Sequence, residues 1–159
     1  MKVRFSPNFS GTMPFFEKPE PPKNMAQHQG KLYFLKQNQN EKQKIDFEIK
    51  VEGVDISNGL EWSLDGKTMY YIDSLTLKID SFDFDIETGN ISNRRTVFDL
   101  KENEIKGFPD GMTICDKGHL WVACFGGSQV FFFNNLIKII FYTEKQRNVD
   151  FWLNCRWLS

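Results

Sequence analysis

Short runs of alternating apolar and polar residues follow one another along the middle of the chain, separated by turns rich in Gly, Asn and Asp. Residues 45–54, "IDFEIKVEGV", alternate in this way, and "LEWSL", "TMYYID" and "IDSFDFDI" follow at short intervals. A period of two residues indicates strands with one face in a core, and tight turns between such strands indicate antiparallel hairpins. The pattern predicts an all-β chain with hardly any helix. Trp62, Trp121, Tyr70 and Tyr71 fall on strand positions and are expected in the core.

One motif occurs twice: a residue with a side-chain oxygen, then glycine, then a large apolar residue, at 58–60 (Asn-Gly-Leu) and at 110–112 (Asp-Gly-Met). The two copies start 52 residues apart. With the same shift, Gly66 falls on Gly118. Four-stranded antiparallel units that repeat at about this period are typical of propeller blades. The chain is therefore predicted to form two to three blades of a β-propeller.

Each of these turns has an ordinary structural explanation, because Gly adopts positive φ freely and Asn or Asp caps its own backbone. Their recurrence adds a functional one. Equivalent positions in successive blades lie around one channel, so Asn58 and Asp110 should point into the same space. An amide oxygen and a carboxylate are hard ligands, which Ca²⁺ prefers and Mg²⁺ or Mn²⁺ accepts. Asp73 and Ser74, at the end of a nearby strand, could reach toward the same channel, but an Asp at a strand end is expected instead to bind backbone N–H groups.

The composition excludes several classes of partner. The chain has 159 residues, of which 40% are hydrophobic and 26% charged, as in an ordinary soluble domain. Its formal net charge is −1 and it has no Lys/Arg-rich run, so neither nucleic acid nor an anionic membrane is expected as a partner. No apolar run resembles a signal peptide, and the three cysteines lack Cys-x-x-Cys spacing. These features predict a cytoplasmic protein.

Two long motifs, "VDISNGLEWSLDGKTMYYIDS" and "PDGMTICDKGHLWVACFGG", closely resemble the regucalcin family, also called senescence marker protein, which includes gluconolactonases. The resemblance covers about residues 10–130. It implies a six-bladed propeller that holds one divalent metal in its channel and hydrolyses small sugar-acid lactones. The expected metal is Ca²⁺, with Zn²⁺, Mn²⁺ or Mg²⁺ as alternatives. Asn58 and Asp110 match two metal ligands of the family, and Asp110 also matches its catalytic acid/base.

The chain departs from the family pattern outside these motifs. A complete six-bladed ring at this period needs roughly 300 residues, about twice the present length. The family's remaining metal ligand, a glutamate, belongs to a blade that this sequence does not contain. The residues that correspond to the family's substrate clamp are Arg4 and Glu17, each displaced from the family spacing. The resemblance thus implies a lactonase family with part of the site missing here, so whether this chain is an enzyme stays open.

The sequence divides near residue 130. Residues 1–130 are predicted to be the partial propeller, and residues 131–159 an off-family tail, because "FFFNNLIKIIFYTEKQRNVDFWLNCRWLS" lacks the blade pattern. Two functions remain for the polypeptide. One is metal-dependent hydrolysis of sugar-acid lactones by a truncated regucalcin-type protein. The other is a non-catalytic calcium-binding or interaction propeller fragment.

Overall fold

The computed structural model describes residues 9–11, 28–37, 44–134 and 137–143. This part of the chain is built almost entirely from β-strands, with one short 3₁₀ turn at Ser74–Thr76. The strands are β1 (Phe9–Gly11), β2 (Gly30–Gln37), β3 (Ile45–Val54), β4 (Ser57–Trp62), β5 (Thr68–Asp73), β6 (Lys78–Asp85), β7 (Asn90–Asp99), β8 (Phe108–Ile114), β9 (Leu120–Phe125), β10 (Gln129–Asn134) and β11 (Ile137–Thr143). Among the described residues, no helix has the length and apolar character needed to cross a membrane.

The strands form three antiparallel sheets in chain order. The first sheet has the order β1-β2-β3, the second β4-β5-β6-β7 and the third β8-β9-β10-β11. Within each sheet, every strand pairs with the next one along the chain. Each sheet is therefore a meander of the kind that forms a propeller blade. The prediction of an all-β chain with two to three blades of a partial propeller is confirmed.

Hydrogen bonds to an aspartate side chain hold the turn between β4 and β5. In the hairpin between β4 and β5, Asp65 Oδ1 accepts hydrogen bonds from Ser63 Oγ at 2.6 Å and from Lys67 N at 3.1 Å. These bonds hold the pKa of the Asp65 carboxyl below its usual value, the Ser63 hydroxyl being the main cause. Gly66 follows with φ 68°, a left-handed conformation that glycine adopts without steric cost.

Two cores lie between neighbouring sheets. Between the second and third sheets, Phe98 of β7 stacks on Phe131 of β10, with their ring centroids 5.0 Å apart. Between the first and second sheets, the ring of Phe9 lies 5.8 Å from that of Trp62. The aromatic residues predicted in the core from the sequence are all buried, namely Trp62, Tyr70, Tyr71 and Trp121. Because each blade buries one face against its neighbour, packing fixes how the sheets lie relative to one another.

The first strands of the three sheets approach one another closely. A Cβ atom built on Gly59 of β4 would lie 2.7 Å from Met112 Cβ and 2.8 Å from the Asp110 carbonyl oxygen, both in β8. A Cβ on Gly11 of β1 would lie 1.7 Å from Ser57 Oγ at the start of β4. Glycine at these positions lets β1, β4 and β8 come together, and the candidate site lies on β4 and β8.

The third sheet continues past residue 130. Phe131 and Phe133 of β10 are buried in the core that faces the second sheet, and β11 pairs with β10. This part of the segment assigned above to the tail therefore takes part in the third sheet. The division of the chain into domains near residue 130 stays a prediction, and residues 144–159 lie outside the described residues.

Candidate functional site

The two copies of the repeated motif come into direct contact. Asn58, the second residue of β4, donates a hydrogen bond from Nδ2 to Asp110 Oδ1 in β8. The same Nδ2 also donates to Ser74 Oγ at 3.1 Å. Asn58 and Asp110 are both half-buried. We expected these two side chains to point into the same channel, and their contact agrees with that expectation.

Both motifs lie at the same kind of backbone irregularity. The register between β4 and β5 shifts between Ser57 and Leu60, and that between β8 and β9 shifts between Pro109 and Met112. Such bulges free one or two residues from the ladder and redirect their side chains. The sequence repeat therefore corresponds to a repeated bulge at the start of the innermost strand of a blade. In the second and third blades it turns Asn58 and Asp110 toward each other.

Buried polar contacts fix the loop that leads into β4. The Asp73 carboxylate accepts hydrogen bonds from the backbone N–H of Asp55 at 3.0 Å and of Ile56 at 2.9 Å. Ser74 N in turn donates to the Ile56 carbonyl oxygen at 3.0 Å. The interpretation of Asp73 as a residue that satisfies backbone groups is confirmed. Because buried N–H groups left without a partner are costly, this network holds the start of β4, and with it Asn58, in one place.

A buried hydroxyl connects the two halves of the site. Ser74, in the 3₁₀ turn after β5, donates from Oγ to the carbonyl oxygen of Pro109 at 2.6 Å. Pro109 directly precedes Asp110 and is itself fully buried. Sequence analysis did not identify Ser74 as a site residue. Its position in the chain could have indicated this role, because Ser74 directly follows β5, the strand that pairs with β4. In that pairing Ser57 lies opposite Asp73.

Charge and burial around Asp110 affect a neighbouring thiol. Cys124 of β9 is buried, and its burial, with a smaller contribution from the negative charge of Asp110, raises the pKa of the thiol to about 11. The free thiol is therefore protonated at neutral pH.

Further along the same pair of strands, Glu61 bridges β4 and β8. Its Oε1 accepts from Trp62 N at 3.0 Å and its Oε2 from Ile114 N at 3.3 Å. Partial burial raises the pKa of the Glu61 carboxyl, although these hydrogen bonds act against the shift. Sequence analysis did not identify this residue, because no sequence motif marks its partners in β8, the Ile114 N–H and the Thr113 side chain. Its contacts are structural and tie the two inner strands together.

The Tyr71 hydroxyl supports the start of β4 from within the second sheet. It donates to Ser57 Oγ at 2.9 Å, directly beside Asn58 in the chain. Burial raises the pKa of Tyr71 to about 12, so the phenol is neutral and remains a donor. Ser57 is the residue against which Gly11 of β1 packs, so this bond fixes the contact between the first and second inner strands.

Asn58 and Asp110 each have one side-chain oxygen atom that is not used in a hydrogen bond with the described residues. Asn58 Oδ1 and Asp110 Oδ2 accept no hydrogen bond from any residue in the described part of the chain. Within the same residues, no group of three or more His, Cys, Asp or Glu side chains could hold a metal ion. The metal-binding roles of Asn58 and Asp110 and the catalytic role of Asp110 stay predictions. Arg4 and Glu17, the candidate substrate-binding residues, lie outside the described residues.

Comparison with known sequences gives a consistent set of relatives. Residues 8–141 match the family described as SMP-30/Gluconolactonase/LRE-like region. Regucalcin of Homo sapiens is 48% identical over 122 residues, which make up 77% of this chain and 37% of that protein. The chain thus spans 37% of the length of this relative.

Three solved structures have a similar fold. A luciferin-regenerating enzyme is 34% identical, with a TM-score of 0.69 over 83% of this chain and 41% of the other. A regucalcin from Agrobacterium tumefaciens, described as a calcium-binding protein, is 24% identical, with a TM-score of 0.61 over 74% of this chain and 37% of the other. A gluconolactonase from Xanthomonas campestris is 21% identical, with a TM-score of 0.60 over 85% of this chain and 42% of the other. The last two likenesses show the fold alone.

Proposed function

The chain belongs to the SMP-30/gluconolactonase/LRE-like family, and on that basis we propose that it carries part of the site of a metal-dependent hydrolase of sugar-acid lactones. The family prediction made from the two long motifs is confirmed. The substrate class is suggested by the family, whose description names gluconolactonase. The activity of the whole protein is a proposal for this chain, which spans 37% of the human relative.

The contact between Asn58 and Asp110 is the observation that carries the proposal. It places an amide and a carboxylate from two neighbouring inner strands side by side, each with an oxygen that accepts no hydrogen bond from the described residues. This donor set fits a hard divalent cation, which takes carboxylate and amide oxygens together with water or backbone carbonyls. Ca²⁺ fits best, because it accepts a mixture of carboxylate, amide and carbonyl oxygens and water in flexible geometry. Mg²⁺, Mn²⁺ and Zn²⁺ are alternatives.

Asn58 and Asp110 would have different roles in the reaction. A bound divalent cation would polarise the lactone carbonyl, which gains negative charge as water attacks it. Asn58 would contribute an uncharged oxygen, so that Asp110 supplies the negative charge of this pair. Asp110 would accept a proton from the attacking water and return it to the alkoxide that leaves when the ring opens. Asn58 contacts Asp110 Oδ1, so Oδ2, which accepts no hydrogen bond from the described residues, is the oxygen left for this role.

Hydrolysis of gluconolactone by the full chain tests the proposal. Acid release would be followed by pH-stat with added Ca²⁺ and again with a chelator. We expect slow, Ca²⁺-dependent hydrolysis above the uncatalysed rate, and its loss in Asp110→Asn, which keeps the shape but cannot take the proton. Asp83→Asn is the matched control, because Asp83 is an exposed carboxylate of β6, two strands away from β4. Equal rates in wild type and Asp110→Asn would contradict the proposed role.

A second function is a non-catalytic calcium-binding or interaction fragment. The observation that favours it is that the Asn58 and Asp110 pair contains a single carboxylate, and affinity for Ca²⁺ rises with the number of charged ligands. A weak site can bind an ion without supporting catalysis. Calorimetric titration with Ca²⁺ distinguishes the two functions when it is read beside the lactone assay. Binding that Asp110→Asn abolishes, without any turnover in the wild type, would favour the second function.

A further inference from the structure

Ser74 is more deeply placed than either residue of the candidate site. Its side chain is 4% exposed, between the loop that leads into β4 and the start of β8. Its backbone N–H donates to the Ile56 carbonyl, and its hydroxyl contacts both Asn58 and Pro109. Because this buried hydroxyl contacts residues of both β4 and β8, it constrains which polar atoms these residues can direct toward a ligand.

The hydroxyl has one proton, and the geometry shows where it goes. Ser74 Oγ lies 2.6 Å from the Pro109 carbonyl oxygen, which can only accept, so the serine must donate to it. The Ser74 oxygen can then only accept from Asn58, 3.1 Å away. Asp110 Oδ1, which also contacts the Asn58 amide, is another acceptor. Two acceptors therefore face one end of the amide, and that end must be the NH₂ group.

The opposite orientation of the amide is disfavoured at both contacts. Turning Asn58 by 180° about its last side-chain bond would place Oδ1 against the carboxylate and against an oxygen whose proton is already used. Oxygen atoms without a proton between them repel one another, and buried polar groups left unpaired are costly. With the NH₂ group held, Asn58 Oδ1 points away from both partners. It then remains as an acceptor for a ligand.

We propose that Ser74 is a positioning residue that fixes the Asn58 amide with its NH₂ group toward Asp110, so that the site presents only oxygen atoms to a ligand. This deepens the function proposed above and rests on it in one respect, the identity of the ligand as a divalent cation. A site with only acceptors selects cations or hydrogen-bond donors. Without Ser74, the amide would lose one of the two acceptors that hold it, and its nitrogen would more often face the ligand.

Nuclear magnetic resonance of the ¹⁵N-labelled full chain tests the orientation directly. In the wild type, nuclear Overhauser contacts are expected between the Asn58 side-chain NH₂ protons and the Ser74 Hβ protons. Ser74→Ala should accelerate hydrogen exchange of that NH₂ group by roughly fivefold, the factor that corresponds to one neutral hydrogen bond. Ser74→Thr keeps the hydroxyl and should restore slow exchange. A general loss of stability would accelerate the exchange of all protected amides, so an effect confined to the Asn58 side chain identifies the local role of Ser74.

Ser81→Ala is the matched control. Ser81 is a buried serine of β6, the strand that follows the 3₁₀ turn; it is 1% exposed, and its hydroxyl has no hydrogen-bond partner among the described residues. Its removal should leave the exchange of the Asn58 amide unchanged. Equal exchange in Ser74→Ala and Ser81→Ala would overturn the proposal. If Ser74→Ala does not fold, the wild-type spectrum decides, because absence of the contact between Asn58 and Ser74 protons would overturn it and presence would support it.

Titration of the same samples with Ca²⁺ separates this inference from the proposed function. We expect Ca²⁺ to shift the Asn58 signals in the wild type, with an affinity roughly fivefold weaker in Ser74→Ala and unchanged in Ser81→Ala. Equal affinity in all three proteins would overturn the selection of cations by Ser74. A wild type that does not respond to Ca²⁺ but shows the exchange effect would refute the metal-dependent function and still support the positioning role.

Discussion

Replacement of Gly59 by alanine should destabilise the protein through one contact, the close approach of β4 to β8. The added methyl group would lie 2.7 Å from Met112 Cβ, 2.8 Å from the Asp110 carbonyl oxygen and 2.8 Å from Ile72 Cδ1. Side-chain rotation can relieve the contact with Ile72, whereas the carbonyl belongs to the backbone of β8. The two inner strands must therefore separate by several tenths of an ångström or more.

The expected cost follows from two opposing contributions. Overpacking of a well-packed interior by one methyl group costs about 1–3 kcal/mol, and the contact with a backbone atom places Gly59→Ala in the upper part of that range. Alanine also restricts the unfolded chain, which favours folding by about 0.5 kcal/mol. The net loss should be about 2 kcal/mol. With a urea m-value of about 2 kcal/mol per molar, the unfolding midpoint would fall by about 1 M.

The repeat supplies a matched control at the equivalent position of the next blade. A Cβ atom built on Gly111 would have no other atom within 4 Å, so Gly111→Ala adds a methyl group in open space. Its stability should be unchanged or higher by about 0.5 kcal/mol. Urea unfolding, followed by the fluorescence of the buried Trp62 and Trp121, measures both variants. Equal midpoints for Gly59→Ala and Gly111→Ala would refute the idea that strand approach requires glycine at 59.

Two further predictions concern the pH response and a turn. Burial raises the pKa of Glu61 above its ordinary value of 4.5, so the folded state binds the proton of this carboxyl more tightly than the unfolded state does. The protein therefore loses stability as the pH rises from 4.5 through the raised pKa of the folded state. Glu61→Gln should therefore gain stability relative to wild type over this range in urea titrations, and a pH-independent difference would contradict the assignment. Gly89→Ala should cost about 2 kcal/mol in the same assay, because Gly89 has φ 69° and its Cβ would lie 2.3 Å from the Phe34 ring. Gly126→Ala, at φ 71° with nothing within 4 Å, should cost about half as much, and equal losses would show that the ring contact is unimportant.

Local patterns predicted the fold well because each blade is a meander. In a meander, strands that pair are neighbours in the chain, so alternation and turn residues determine most of the pairing. The runs around "TMYYID" and "LWVACF" became β5 and β9, and their aromatic residues Tyr70, Tyr71 and Trp121 are buried as expected. The start of β10 was harder to interpret. Phe131, Phe132 and Phe133 are consecutive apolar residues, and both faces of this strand are buried, so the sequence has no alternation there.

The candidate site was only half predictable for a physical reason. Asn58 and Asp110 could be found because the repeat marks them, and equivalent bulges in adjacent blades place them together. Ser74 and Glu61 could not be found in this way, because each acts between blades. Ser74 binds the backbone carbonyl of Pro109, and Glu61 binds the backbone N–H of Ile114 and the side chain of Thr113. No sequence motif marks these partners.

This difference bears on how the site could evolve. A repeated motif provides similar side chains at equivalent positions, but two identical residues in contact would be either two amides or two carboxylates. Two carboxylates this close would repel each other unless a cation or a proton lay between them. Asn58 in one copy and Asp110 in the other are instead joined by a hydrogen bond between an amide and a carboxylate. An amide in place of one acidic residue therefore removes this repulsion between the blades, and in our proposal Ser74 leaves the amide oxygen free for a ligand.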